Sequence, residues 1–402
     1  MTPAARAQAA IECLDAVIAA ASTGGAAADT LVQRYFTTRR YAGSKDRRAV
    51  RDLVFDVIRS IGSPPESGRA GLIGHARAHA PELLDLFTGT ADAAGHAPMI
   101  LVPGEAEATP SLAPGWQLDM LRQRFGAASP ASVRALLTRA PLDLRVNRLC
   151  ANRDELLIEL PELAPTSYAL DGLRAPTGLN VETLPAFHAG KIEVQDEGSQ
   201  LAALAVGAEP GEIVIDLCAG AGGKTLALAA SMANHGRLIA TDTDRGRLSV
   251  MPQRLARAGV SIVETRLLNP RKEWEALSDL AGLADRILID APCSGTGTWR
   301  RNPEARWRLT PDRLAKLTAE QDRLLQLAAQ LVRVGGTLTY VVCSLLPVEA
   351  ETRIALFLSR SSGFEADAFD IATQPAPVTT AVLSPGTEGC DGFFIARLKR
   401  VC

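Results

Sequence analysis

Two cysteines stand directly after apolar segments that have the composition of buried β-strands. Cys293 lies in residues 290–297 (DAPCSGTG), and Cys343 lies near the end of residues 339–344 (TYVVCS). If both segments end parallel strands of one doubly wound sheet, both thiols face the crevice where such sheets bind ligands. A single buried cysteine is usually a small hydrophobic residue, but two thiols at one ligand-binding edge indicate nucleophilic chemistry.

A glycine-rich turn follows another predicted strand, residues 213–216 (IVID), and leads into a helix rich in Ala and Leu. The turn contains Cys218, Ala219, Gly220, Ala221, Gly222, Gly223 and Lys224. Glycines at a strand-to-helix turn allow the backbone to approach a ligand closely, and the helix N-terminus offers N–H donors. Asp242 ends the next predicted strand, about 20 residues on, where a nucleotide-type site holds its ribose-binding acid.

Three interpretations of this turn were compared. A P-loop requires a glycine, four further residues and then Gly-Lys-Thr, but the first glycine position is Cys218. A glycine-rich turn that binds nothing would not account for Asp242 at the next strand end. We therefore favour a class I methyltransferase turn, over which S-adenosylmethionine lies.

A thiol beside a methyl donor suits methylation of cytosine at carbon 5. That carbon is a poor nucleophile until a thiolate adds to carbon 6 and makes the ring enamine-like. The thiol needs nearby donors or positive charge to ionise. Asp290 is placed to bond ring nitrogen 3. A second cysteine can assist removal of the carbon-5 proton, so that the first thiol leaves.

The elements that must position these residues fall into three predicted segments. Residues 1–140 have helical periodicity, and residues 141–200 change to strands flanking a helix, which is typical of a small α+β module. From residue 201 to 402, apolar strands alternate with helices and predict a parallel, doubly wound α/β sheet. Its strands are expected at 211–217, 236–242, 261–267, 285–291 and 336–344, with an added antiparallel strand at 392–400.

The composition of the 402 residues is that of a globular protein, with 47% hydrophobic and 22% charged residues. The 43 Lys and Arg residues against 45 Asp and Glu give a net charge of −2, so any RNA contact must use a local basic patch. Seven widely spaced cysteines favour reduced thiols in the cytoplasm. No apolar run approaches the ~18 residues of a membrane span, and no Cys-x-x-Cys or paired-His spacing predicts a metal site.

Several mutually ordered motifs lie in residues 141–400. They are DLCAGAGGKT (216–225), DAPCSGTG (290–297), Cys343-Ser344 followed by Pro347 and Glu349/Glu351, RVN (145–147), VQDEGSQ (194–200), RRNP (300–303) and DGFF (391–394). This set resembles the RsmB/Nop/Sun family of RNA cytosine-5 methyltransferases. The start of the chain and residues 44–48 (SKDRR) resemble the NusB-like helical extension of its bacterial ribosomal-RNA branch. That similarity implies a NusB-like, RNA-binding domain over residues 1–140.

The resemblance implies a class I methyltransferase fold for residues 201–402, with S-adenosylmethionine as cofactor. It implies that Cys343 is the nucleophile, that Cys293 assists product release, and that Asp290 lies at the cytosine and near the cofactor sulfonium. Residues 218–224, Asp242 and Asp290 would hold the cofactor. Lys224 would sit in the active site, beside the target base or the methyl donor.

One departure from the family concerns the adenine end of the cofactor. The usual adenine-side acid has no counterpart in residues 264–270 (ETRLLNP). Asn269 is a candidate for bonding the adenine amine, and a loop cap before Pro270 explains the same residue equally well.

RNA contacts are predicted from Arg145, Arg300 and Arg301. The last two follow the Cys293 loop, with Trp299 and Trp307 close by in the sequence. Arginines and aromatic rings suit phosphate contact and base stacking, while the alternative is a solvated helix face. For the arginine-rich residues 39–51, RNA contact and simple solvent exposure are both open.

The implied substrate is RNA, with small-subunit ribosomal RNA first and transfer RNA second, and we expect a monomer without a metal or membrane partner. Two alternatives belong to other classes. One is a non-catalytic, RNA-binding ribosome assembly factor, and the other is a P-loop hydrolase, which Cys218 disfavours.

Overall fold

The computed structural model describes residues 1–89 and 96–402. In chain order its α-helices and β-strands are α1 (Pro3–Thr23), α2 (Ala28–Thr37), α3 (Ser44–Ser60), α4 (Gly68–His79), α5 (Gly115–Phe125), α6 (Ser129–Leu137), β1 (Leu142–Val146), α7 (Arg153–Glu159), β2 (Ala164–Pro165), β3 (Gly172–Ala175), α8 (Pro185–His188), β4 (Ile192–Val194), α9 (Glu197–Leu204), β5 (Ile213–Asp216), α10 (Gly223–Ser231), β6 (Arg237–Asp242), α11 (Arg245–Ser249), α12 (Met251–Arg257), β7 (Val263–Leu267), α13 (Glu273–Leu277), β8 (Ala284–Asp290), α14 (Ala305–Arg308), α15 (Pro311–Leu331), β9 (Val332–Val342), α16 (Glu351–Arg360), β10 (Phe364–Ala366), β11 (Thr380–Leu383) and β12 (Phe393–Arg400).

These elements form two compact units that do not coincide with the three predicted segments. Unit 1 comprises Met1–Thr138 and Thr298–Pro311, and unit 2 comprises Arg139–Gly297 and Asp312–Cys402. The sequence pattern predicts 298–311 within the catalytic segment and 141–200 as a separate module. The structure instead groups 298–311 with the N-terminal helices.

Unit 1 is helical, and a large apolar cluster packs its first helices together. Helix α1 begins where Thr2 accepts a hydrogen bond from the Ala5 N–H, and it ends at Gly24, whose φ is 74°. Leu14, Val54 and Ile58 are fully buried in this core. The late segment joins it through Trp307, whose indole N–H donates to the Ile61 carbonyl at 2.9 Å. This partner lies 246 residues away, and no local sequence pattern encodes such a pairing.

Unit 2 contains two sheets. The smaller one is antiparallel with strand order β2-β3-β1-β4, and Leu144, Val146, Leu173 and Ile192 fill its core. The larger one has the order β10-β12-β9-β8-β5-β6-β7, with β11 paired to β12. Its strands β5 to β9 pair in parallel, and β12 joins β9 in antiparallel register. The predicted class I methyltransferase-type α/β fold is therefore confirmed.

Helices cover both faces of the larger sheet, which explains why its strands read as continuous apolar runs. Ile287 and Ile289 pack in one cluster with Leu325 of α15. Leu288 points to the opposite face, where it packs in a cluster that contains Leu228 of α10.

The strand order β9-β8-β5-β6 fixes where the chemistry can occur. Because these four strands are neighbours and parallel, their carboxyl ends lie side by side. Cys343, Cys293 and the glycine turn follow the ends of β9, β8 and β5, and Asp242 is the last residue of β6.

No helix among the residues that the structure describes is long and apolar enough to span a membrane.

Candidate active site

The glycine turn after β5 has a backbone that only glycine adopts easily. Gly220 and Gly222 have φ values of 55° and 87°. A Cβ atom on Gly220 would lie 2.2 Å from Arg247 Nη2, and one on Gly222 would lie 2.9 Å from Met251 Cγ. The Gly220 N–H donates to Asp242 Oδ2 at 2.7 Å. The turn is thus held against the end of β6, and the sequence-predicted acid supports it directly.

A cavity of about 340 Å³ opens beside this turn at the carboxyl ends of the strands. Its lining includes Cys218, Asp242, Asp290, Cys293 and Cys343. The structure therefore brings together the cysteines, Asp290, the start of the turn and the strand-end acid that the sequence analysis singled out.

The cavity is also lined by residues that the sequence does not single out. Glu273 is buried and receives hydrogen bonds from the Arg323 guanidinium at 2.6 and 2.8 Å, and both residues line the cavity. Asn269 is exposed and does not line the cavity, and its carbonyl accepts from the Lys272 N–H in a turn. The contact between Asn269 and adenine stays a prediction. No sequence motif marks Glu273, because its partner Arg323 lies 50 residues later.

Lys224 and Asp290 form an ion pair at the mouth of the glycine turn, with Nζ and Oδ2 2.7 Å apart. The Lys224 ammonium also lies 5.4 Å from the centre of the Phe393 ring. Burial alone would lower the pKa of Lys224, but the Asp290 carboxylate outweighs it and the pKa is raised. Lys224 therefore carries a full positive charge at neutral pH.

The two cysteines are in direct contact, with their Sγ atoms 3.4 Å apart. The hydrogen bond to Cys343, followed by burial, raises the pKa of the Cys293 thiol well above its ordinary value. Cys293 therefore keeps its proton and can donate it to Cys343. Burial also raises the pKa of Cys218, so this residue lines the cavity as a neutral thiol.

Asp216 ends β5 beneath the turn and is fully buried. The Thr225 hydroxyl donates to its Oδ2 at 2.7 Å, while Oδ1 has no hydrogen-bond partner among the described residues. Burial raises the pKa of Asp216 from 3.8 to about 7 even though the Thr225 hydrogen bond opposes this. The fold therefore favours the protonated acid.

This raised pKa predicts a pH-dependent effect of the substitution Asp216→Asn. The stability that the protonated acid supplies is complete below pH 3.8 and is lost as the pH rises towards 7. Because asparagine does not titrate, the free energy of unfolding of the variant relative to the native protein should rise by about 2–4 kcal/mol from pH 4 to pH 8. Urea unfolding across this range measures the difference. Asp370→Asn, at an exposed position, is the matched control. A flat profile for Asp216→Asn would contradict the buried-acid interpretation.

The arginines predicted to contact RNA lie largely in the interior. Arg145 is 4% exposed, and its Nε donates to Gln195 Oε1 at 2.6 Å. Burial lowers the pKa of its guanidinium to about 10, so it remains charged. Arg300 is also 4% exposed and Arg301 is half-buried. None of them forms the solvent-facing basic patch that the sequence suggested, and their RNA contacts stay a prediction.

Known proteins share this fold and parts of this sequence. A family model described as 16S rRNA methyltransferase RsmB/F matches residues 203–399, and one described as an RsmF/B-like ferredoxin-like domain matches residues 113–182. The second match begins earlier than the small module predicted at 141–200.

Individual curated relatives are also ribosomal RNA methyltransferases. The probable ribosomal RNA small subunit methyltransferase B of Synechocystis sp. is 37% identical over 303 residues, which cover 71% of this chain and 66% of the relative. The ribosomal RNA small subunit methyltransferase B of Shewanella oneidensis is 31% identical over 301 residues, which cover 74% of this chain and 69% of the relative. The matched region thus spans about two thirds of these curated relatives. Among solved structures, a methyltransferase homolog from Pyrococcus horikoshii has a TM-score of 0.61 at 28% identity and covers 70% of this chain and 93% of its own.

Proposed function

The chain belongs to the family of RsmB/F-type 16S rRNA methyltransferases, and on this basis we propose that it transfers a methyl group from S-adenosylmethionine to carbon 5 of a cytosine in RNA. Small-subunit ribosomal RNA is the proposed substrate. The observation that carries the proposal is the contact between Cys293 and Cys343 at one end of a cavity whose other lining residues include Asp242 and Asp290.

The residues around the cavity suit S-adenosylmethionine. The turn that begins at Cys218 borders the cavity and contains two positive-φ glycines, and Asp242 lines the cavity with a carboxylate at the end of β6. Its Oδ atoms already hold Gly220 and Asp244 in place, so the acid presents a fixed geometry to a ribose diol. The cofactor supplies an electrophilic methyl group on its sulfonium.

Cys343 is the proposed nucleophile because it lines the cavity and contacts a second thiol. Cys293 keeps its own proton and shares it across the 3.4 Å contact. The Lys224 ammonium adds a nearby positive charge, since Cys343 is among the groups that raise the pKa of Lys224. Cys343 then forms the sulfur bond to carbon 6, while Lys224 and Asp290 hold and supply the proton that ring nitrogen 3 takes up.

Cys293 is the proposed base for release. Its raised pKa depends first on the hydrogen bond to Cys343 and also on the Cys343 charge. Both contributions disappear once Cys343 is bonded to carbon 6, which lowers the pKa of Cys293 towards the value that burial and Glu349 leave. We propose that its proton then passes to solvent. The Cys293 thiolate then takes the carbon-5 proton, the carbon 6–sulfur bond breaks, and Cys343 leaves as a thiolate while ring nitrogen 3 gives up its proton.

The surface of unit 1 supports an RNA substrate. Helices α2 and α3 carry exposed basic side chains that form no ion pair within the described part of the chain, namely Arg34, Lys45, Arg47, Arg48 and Arg51. A groove of about 410 Å³ between these helices is lined by Phe36 and three of the arginines. This local concentration of charge suits a phosphate backbone despite the acidic total. The target cytosine must be single-stranded or flipped out to reach Cys343.

Labelled methyl transfer from S-adenosylmethionine to total RNA tests the proposal. After size fractionation and digestion to nucleosides, we expect label in 5-methylcytosine from small-subunit ribosomal RNA. Label in the transfer-RNA fraction would contradict the proposed substrate but support the proposed chemistry. If the cofactor bound but no RNA were labelled, a non-catalytic assembly factor would replace the enzyme. ATP binding without S-adenosylmethionine binding would point to a hydrolase.

A further inference from the structure

We propose that Glu349 is a positioning residue whose buried carboxylate joins the loops after β8 and β9 and thereby sets the separation of Cys293 and Cys343. Its consequence for catalysis rests on the proposed function, whereas its effect on the distance between the thiols does not. Glu349 lies in the turn that follows Cys343 and is 0% exposed.

The carboxylate receives donors from both cysteine loops. Oε1 accepts from the Ser294 N–H at 2.9 Å, and Oε2 accepts from the Ser294 hydroxyl. Oε2 also accepts from the Ser344 hydroxyl at 2.5 Å. Ser294 directly follows Cys293, and Ser344 directly follows Cys343. Each loop is therefore bound to Glu349 one residue away from its thiol.

A helix completes the cluster. The side-chain amide of Gln321, on α15, donates to Glu349 Oε1 and to the Pro292 carbonyl, both at 3.0 Å. With this bond each Glu349 oxygen accepts two hydrogen bonds. The buried carboxylate therefore has partners for all of its acceptor positions. The Tyr340 hydroxyl donates to the Glu349 carbonyl at 2.8 Å, so the backbone of the turn is fixed to β9 as well.

The two loops also bond to each other around this cluster. The Leu345 N–H donates to the Thr296 hydroxyl at 2.8 Å, and the Gly297 N–H donates to the Cys343 carbonyl at 3.0 Å. Ser344 connects these bonds to the carboxylate, because its hydroxyl contacts both Thr296 and Glu349. Loss of the carboxylate would leave the donors of Ser294, Ser344 and Gln321 unsatisfied in a dry interior.

Glu349 is bound by neutral donors, and no Arg or Lys pairs with it within the described residues. Its charge is one of the causes that raise the pKa of Cys293, after the hydrogen bond to Cys343, burial and the charge of Cys343. The same residue thus holds the thiols in contact and helps to keep the proton on Cys293 before attack.

Capture of the two thiols by phenylarsine oxide tests the positioning role without any methyl transfer. The arsenic atom forms bonds to two sulfurs that are already in contact, and the two thiol protons leave with the oxygen as water. Capture is scored by intact mass after a monothiol wash, which removes reagent held by only one sulfur. Cys343→Ala gives the baseline for capture by one sulfur.

We expect Glu349→Ala to reduce capture by at least about tenfold. The loss of all hydrogen bonds to the carboxylate should let the two cysteine loops separate. Glu349→Gln should stay within about threefold, because the serine hydroxyls can rotate to accept from the amide. The control is Leu331→Ala, which removes a buried side chain from the last residue of α15 and should weaken the fold without changing capture. If Glu349→Ala does not fold, the Ser344→Ala variant removes one of the same bonds and should show a smaller loss.

Capture by Glu349→Ala at the native level would overturn the proposal. In the methyl-transfer assay, the same variant should lower kcat by at least about tenfold and leave the cofactor Kd within about threefold, with Gln restoring most of the rate. If the native protein transfers no methyl group, the proposed function fails, while the capture result still decides the role of Glu349.

Discussion

Replacement of Cys343 by alanine should abolish methyl transfer while cofactor binding stays within about threefold of the native value. Without the thiolate no bond to carbon 6 forms, and carbon 5 remains too weak a nucleophile. The loss should be on the order of 10⁴-fold or more in kcat, as for the removal of other covalent nucleophiles. The measurements are single-turnover methyl transfer and the Kd for S-adenosylmethionine.

The matched control is Cys402→Ala, since Cys402 is an exposed free thiol at the end of the chain. It should transfer methyl groups at the native rate. If Cys343→Ala retained activity near that rate, Cys343 would not be the nucleophile, and the contact with Cys293 would require another explanation.

Replacement of Cys293 by alanine should trap the enzyme on its RNA. Cys343 can still attack carbon 6, but the base that removes the carbon-5 proton is missing, so the carbon 6–sulfur bond persists. We expect a covalent protein–RNA species that survives denaturation, seen as a gel shift, with turnover lowered by about 10²-fold or more. Alanine also removes the hydrogen bond that the Cys293 thiol shares with Cys343.

A double variant separates the two effects. Cys293→Ala combined with Cys343→Ala should give no denaturation-resistant band, which assigns the bond to Cys343. If Cys293→Ala stops methylation without any covalent species, the release role is wrong and Cys293 acts before attack.

Local patterns in the sequence predicted the elements that position the site. The strands that precede the glycine turn, Asp242, Cys293 and Cys343 are short apolar runs, and each one ends at a polar or glycine-rich turn. Parallel neighbours in a doubly wound sheet then require these ends to meet. The confirmed fold therefore followed from periodicity, and motif resemblance supplied the family.

Features that depend on contacts between residues far apart in the sequence could not be predicted from local patterns. Arg145 and Arg300 looked like surface charges, yet burial against partners elsewhere in the chain governs their environment. Glu349 appeared only as a motif residue, because its role depends on Ser294, 55 residues earlier. A single sequence does not reveal which of many polar residues will find a buried partner.

The late entry of residues 298–311 into unit 1 has a consequence for biosynthesis. The Ile61 carbonyl, at the end of α3, accepts its hydrogen bond from the indole of Trp307. The Ala28 N–H donates to the Glu304 carboxylate, 276 residues later in the chain. At translation speeds of about 5–20 residues per second, the N-terminal helices emerge from the ribosome on the order of ten seconds or more before these partners exist. During that interval the nascent helices expose apolar surface that Trp307 covers in the finished protein, and we expect chaperones to bind the chain at this stage.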